Sequence, residues 1–151
     1  MVLIILTKDR SVITILSSAK MVATCGMNCT YCYAHHKEKK PCLGCRLSDE
    51  GKPEHCRKCK IKDCAAQKQV QFCSKCDDYP CLLIKRLDKS YRTRYNISLI
   101  NNMKVIDEKG IKYYLTFEQE RLKCPECHGV LSLHHKKCSE CGKISDVYKL
   151  E

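Results

Sequence analysis

The sequence predicts a small metal-stabilised α+β protein, in which a Cys-rich zinc-knuckle region and a C-terminal zinc ribbon flank a short helical segment. Three observations carry this. Fifteen cysteines stand in 151 residues, nearly all in C-x2-C or C-x3-C pairs, and such a pair places two thiolates within reach of one tetrahedral ion. Between Met21 and Cys64 few side chains, among them Met27, Tyr31, Leu43 and Ile61, could supply a core, too few to offset the ordering cost of that stretch. Structural zinc contributes on the order of 10 kcal/mol per site, which is the scale required. From Leu82 onward, apolar residues recur at helical spacing.

Residues 1–20 differ from the rest. Val2–Leu6 and Val12–Leu16 are β-branched and aliphatic around Lys8-Asp9-Arg10, the pattern of a β-hairpin; the alternative is that Met21 is the true start and the extension a misassigned one. Residues 21–81 form a Cys-rich multi-metal region. Within it Cys56-x2-Cys59-x4-Cys64 recurs seventeen residues later as Cys73-x2-Cys76-x4-Cys81, with a short helix expected over Ala65–Val70 between the two. Pro80 bars a helix from running through the end of the repeat.

Residues 82–123 form the helical segment. Leu82, Leu83, Ile84 and Leu87 suggest one helix. Asn96 or Ser98 can cap a second, with Leu99, Ile100, Met103 and Ile106 on one face and Gly110 as its stop. Ile111, Tyr114, Leu115 and Leu122 mark a third that ends before Pro125. Residues 124–151 are a zinc ribbon in outline: Cys124-x2-Cys127 and Cys138-x2-Cys141 are separated by ten residues, enough for a hairpin containing Val130–Leu133.

A disulfide scaffold is the competing reading of dense cysteine. The odd count, pairs too close in sequence to staple distant strands, and a start that lacks a basic n-region and a long apolar run all oppose it. No stretch approaches the apolar length that crosses a bilayer. A reducing cytoplasm is the expected location. The formal charge of +11 overstates the basic character: with fifteen thiolates bound to four divalent ions it falls to about +4.

The expected metal ligands are all fifteen cysteines: Cys25, Cys29, Cys32, Cys42, Cys45, Cys56, Cys59, Cys64, Cys73, Cys76, Cys81, Cys124, Cys127, Cys138 and Cys141. The last four complete a closed tetrahedron, which makes that site structural and leaves His128, His134 and His135 as surface residues. The other eleven are one short of three four-ligand sites. His55 is the natural twelfth ligand, with His35 and His36 as others; two complete sites plus three remaining cysteines is the other account. Sequential and cross-linked pairings both fit the spacing.

The run Cys25-Gly-Met-Asn-Cys29-Thr-Tyr31-Cys32 resembles the loop by which radical S-adenosylmethionine enzymes hold a 4Fe–4S cluster. That likeness implies a partial TIM barrel, but Lys-rich loops and more cysteines follow it here, and a short motif needs its structural context. Basic runs through Lys37–Lys40, Arg57–Lys62 and Arg86–Arg94, with Tyr91 and Tyr95 interleaved, could touch a polyanion; the plainer reading is a solvated lysine-rich surface around anionic metal centres. No nucleophile–base pairing, Gly-rich phosphate loop or carboxylate pair in an apolar setting stands out.

The chain also resembles an uncharacterised Cys-rich family of bacteria and archaea, catalogued as a domain of unknown function. The resembling segments are Cys25-Gly26-x2-Cys29-x2-Cys32, Cys42-x2-Cys45, Cys56-x2-Cys59-x4-Cys64-Ala65-x2-Lys68, and Cys73-x2-Cys76-x-Asp78-Tyr79-Pro80-Cys81. A helical stretch through Ile106 to Gly110, Gln119 and Arg121 follows, then Cys124-Pro125-x-Cys127, so the likeness runs from about Met21 to the end. Where the family looks like Cys-Gly, this chain has Cys127-His128. The resemblance implies metal binding by the cysteines. The expected function is therefore that of a zinc-binding interaction module with a protein partner, weak nucleic-acid contact through its Lys/Arg surface, and no turnover of its own. An iron–sulfur protein, redox or radical-type, is the second class, and a nucleic-acid- or ribosome-associated zinc-ribbon factor the third.

Overall fold

The computed structural model describes residues 18–145. The hairpin expected over 1–20 lies, but for its last three residues, outside them. The described chain is a small α+β protein of short helices and one two-stranded sheet. Helices α1 (Glu54–Arg57) and α2 (Lys60–Gln67) lie in the Cys-rich region, and α3 (Leu82–Tyr95), α4 (Leu99–Lys109) and α5 (Ile111–Arg121) follow. Strands β1 (Leu131–Ser132) and β2 (Lys137–Cys138) pair antiparallel, with Leu131 opposite Cys138 and Ser132 opposite Lys137. Among the described residues no helix is long and apolar enough to cross a membrane.

The helical segment follows its local signals. Helix α3 starts directly after Pro80, with Cys81 as its N-cap, and stops at Asn96, whose φ of +57° is left-handed. Ser98 caps α4 by accepting from the Asn101 amide at 3.0 Å. Of the two capping candidates, then, Ser98 starts α4 and Asn96 ends α3. Gly110, at φ +87°, separates α4 from α5. A second cap came from further away. The buried carboxylate of Asp88, on α3, accepts from the Ser98 hydroxyl at 2.8 Å, the Ile100 amide at 3.1 Å and Arg92 Nε at 2.8 Å. Burial alone would raise the Asp88 pKa, yet these donors outweigh it and hold the carboxyl below its ordinary value.

Helix α2 lies earlier than the expected Ala65–Val70. It begins after Cys59, carries Asp63 in its first turn, where the helix dipole favours an acid, and ends at Lys68, with Gln69 left-handed at φ +55°. The one-turn helix α1, entered from Pro53, has no apolar period to announce it.

Two cores hold these pieces together. One joins Ala23, Met27 and Tyr31 of the first loop to Ile97, Leu99 and Leu122 and to Leu131 and Leu133 of the ribbon. The other joins Val22 and Phe72 to Met103, Ile106 and Tyr114. The first loop folds back on itself through Ala23 N to Met27 O at 2.8 Å and Cys29 N to Met21 O at 2.7 Å. Its tip, Gly26, presses on α4: a Cβ there would sit 2.9 Å from the Leu99 carbonyl oxygen. The Gly26 carbonyl in turn accepts from Asn102 Nδ2 at 3.0 Å and the Tyr114 hydroxyl at 3.2 Å, both buried. Glycine is required here because φ is +92° and no side chain fits the approach.

Candidate metal centres

The ribbon shows the clearest geometry. Its first knuckle closes through Cys124 N to Gly129 O at 2.8 Å and His128 N to Cys124 O at 2.9 Å, its second through Gly142 N to Cys138 O at 3.2 Å. In each knuckle the residue after the second cysteine has a left-handed backbone, His128 at φ +62° and Gly142 at +74°. This turn brings Cys124, Cys127, Cys138 and Cys141 together with all four sulfurs within 4.8 Å of one another. Cys124 and Cys141 are 3.8 Å apart, Cys127 and Cys138 3.5 Å. Four sulfurs about 2.3 Å from a tetrahedral ion lie about 3.8 Å from each other, so the set fits one ion with no open position. Burial opposes ionisation of Cys138, but the Cys141 and Glu140 amides and the neighbouring thiols bring it down to about 7.

The eleven remaining cysteines divide into two neighbourhoods. Cys45 lies at the centre of the first, with its sulfur 3.5 Å from that of Cys29. The bond from Cys29 lowers Cys45 most; burial opposes it, and Lys52, Lys62 and Arg46 add to the lowering, so that Cys45 comes down to about 7. The same bond, followed by burial, pushes Cys29 up. Burial pushes Cys25 up to about 12, and the thiols of Cys45, Cys59 and Cys73 add to it. Cys56 also rises to about 12, from burial and then from Cys45, Cys32, Cys42 and Cys59. Cys25, Cys29, Cys32, Cys42, Cys45, Cys56 and Cys59 are thus linked in a chain of electrostatic neighbours, with Cys45 common to most of the links and Cys73 also within reach of Cys25.

Cations are built in around Cys45. Lys52 is only 6% exposed, donating to the Cys45 and Leu47 carbonyls and to Asp49. Arg46 donates to the Val22 and Gln71 carbonyls and lies over the Phe72 ring. Both residues favour a thiolate at Cys45. His35 donates from Nδ1 to the Cys42 carbonyl at 2.7 Å, which leaves Nε2 as the basic nitrogen. His36 is held by Nε2 to the Thr30 carbonyl. His55 lies within electrostatic reach of His134.

The second neighbourhood is Cys64, Cys73, Cys76 and Cys81, which line one cavity. Cys76 closes its 3-10 turn onto Cys73, and the Cys73 amide donates to Thr24 O in the first loop. The pairing cuts across the sequence repeat: Cys56 and Cys59 face the first neighbourhood, while Cys64 is carried by α2 to the second. Lys68, one turn beyond Cys64, donates to Cys76 Sγ at 3.2 Å and to Asp78 at 2.5 Å. Its role was not read from the sequence, though the i, i+4 spacing from Cys64 on a helix is the signal that places it there.

The remaining motifs take plainer places. Tyr91 packs against the first core and its hydroxyl meets His134 Nε2 at 3.1 Å, with Tyr95 edge-on to the same ring. Burial lowers His134 to about 4, so this histidine, expected on the surface, is a packed and neutral one. Among the described residues the only sheet is two-stranded, so the barrel implied by the radical-enzyme likeness has no counterpart there.

Residues 21–86 match the model of a family described as a protein of unknown function (DUF3795). The match covers the Cys-rich region and the first turn of α3, and it bears out the resemblance of that region to a Cys-rich family of unknown function. It ends before α4, α5 and the ribbon, to which the resemblance had also been extended. No curated protein and no solved structure gives a significant match.

Proposed function

We propose that this is a cytoplasmic zinc protein acting as a binding or interaction module, with a protein partner, weak polyanion contact and no turnover of its own. The observation that carries the reading is the ribbon: four thiol sulfurs within 4.8 Å, at pair distances that suit a single tetrahedral ion. Zinc has no geometric preference of its own and accepts such a set, and a closed site holds a fold together without offering a position to substrate. The seven thiols around Cys45 support the same chemistry in the first loop, where one histidine, His35 or His55, would complete two four-ligand sites.

Elemental analysis of the full chain with a metal-to-protein ratio tests this. Zinc bound in the purified protein, with about one equivalent lost on Cys138→Ser, is the expected result. A ribbon variant that keeps its full zinc content would refute it.

A further inference from the structure

The four cysteines of the second neighbourhood are arranged differently from those of the ribbon. Cys64, Cys73, Cys76 and Cys81 stand around a cavity of about 280 Å3, whose remaining wall includes Ile61, Val70, Leu83 and Ile84. In the ribbon the sulfurs already touch; among the described residues it is the group found with all ligand atoms within 4.8 Å. A single ion draws its four sulfurs to about 3.8 Å and leaves no chamber between them. A cubane of four irons and four sulfides holds its four cysteine sulfurs well apart and fills the space between them.

We propose that Cys64, Cys73, Cys76 and Cys81 bind a [4Fe–4S] cluster in this cavity, separate from the zinc of the ribbon. Three features suit the group. The wall beside the thiols is largely apolar, which limits the water around the inorganic core and tunes it. Cys81 is the N-cap of α3, a helix of fourteen residues, where the dipole favours a thiolate. Lys68 Nζ is already bonded to Cys76 Sγ at 3.2 Å, so a charged N–H···S bond to one cluster ligand is in place, with Asp78 holding the ammonium. On assembly two ferric and two ferrous ions combine with four sulfides, and each of the four thiols releases its proton as its sulfur bonds one iron, so that no electron is gained or lost. All four irons are then ligated by protein, which makes this a closed cluster. It borders the Cys25, Cys29, Cys32 loop, where Cys25 feels Cys73 as well as Cys45, but none of that loop's cysteines lines the cavity.

The test is anaerobic reconstitution of the full chain with equal amounts of ferrous and ferric iron, with sulfide and with zinc. The expected product absorbs broadly in the visible, with about four iron and four sulfide per chain. Cys76→Ala should lose the iron and sulfide and keep the ribbon zinc; Cys138→Ala should lose about one zinc and keep the iron. A third variant reads the site even where Cys76→Ala does not fold. Lys68→Met removes the N–H···S bond and should shift the reduction potential to more negative values at unchanged iron content, since that bond stabilises the more anionic reduced cluster. A colourless chain, zinc that Cys76→Ala lowers by one equivalent, or a potential unmoved in Lys68→Met would each overturn the assignment. Zinc content in Cys138→Ala reports on the ribbon alone, so failure of one assignment is separable from failure of the other.

Discussion

Replacing Gly26 with alanine should destabilise the protein by about 3–4 kcal/mol. The magnitude has two parts. Left-handed backbone costs an alanine about 1–2 kcal/mol, and Gly26 sits at φ +92°. The new Cβ would lie 2.9 Å from the Leu99 carbonyl oxygen, a backbone atom in the first turn of α4 that has little room to yield. The loop must therefore back away, and the Gly26 carbonyl then loses its bonds to Asn102 and Tyr114, each worth about 1 kcal/mol net. For a chain of this size the loss corresponds to a fall in thermal midpoint of roughly 6–16 °C. The assay is thermal or urea unfolding of the metal-loaded protein, run as a double-mutant cycle with Tyr114→Phe. Alone, Tyr114→Phe should cost about 1 kcal/mol; in the Gly26→Ala background its cost should shrink, because the bond to Gly26 is already gone and only the one to Glu118 remains. Strict additivity, or a Gly26→Ala midpoint equal to that of the parent, would refute the reasoning.

Three further outcomes are expected. Asp88→Asn should cost about 1–3 kcal/mol by weakening the cap it gives α4, as read from the unfolding midpoint. The folded pKa of Asp88 is depressed, so the difference between parent and variant should be full above the ordinary carboxylate value of about 4 and shrink as pH falls through the lower folded value; a difference that grows in acid contradicts this. His128→Gly should stabilise the first ribbon knuckle by about 1 kcal/mol, since φ there is +62°, and competition with a zinc chelator should show equal or tighter zinc. Finally, a strong chelator should make residues 21–81 cleavable by protease, because so little of their core is apolar; persistent resistance after complete metal removal would contradict that.

Legibility tracked the range of the interactions. Helices α3 to α5 were readable because their signals are local: Pro80 before one, Ser98 and Gly110 around the next, and apolar residues at helical spacing throughout. The ribbon was readable because both halves of its site lie within eighteen residues. The register of α2 was missed since Ala65 and Ala66 drew the helix toward them, whereas its start is set by the turn at Cys59. Which of the eleven other cysteines meet could not be read, because Cys45 reaches back to Cys29 and Cys64 reaches forward to Cys81. Asp88 was silent for the same reason: an aspartate in mid-helix looks like solvent-facing charge until the next helix delivers its amides.

The carbonyl of Gly26 has a consequence for the order of events during synthesis. Its two donors lie 76 and 88 residues downstream. At translation speeds of about 5–20 residues per second, the second donor is made roughly 4–18 s after the loop itself. Through that interval Cys25, Cys29 and Cys32 have been translated while α4 and α5, against which their loop docks, have not. Whatever holds the nascent loop must come from its own turns and thiols rather than from the helices. The position of Tyr114 in the chain thus sets when the loop can dock: not before α5 has been made.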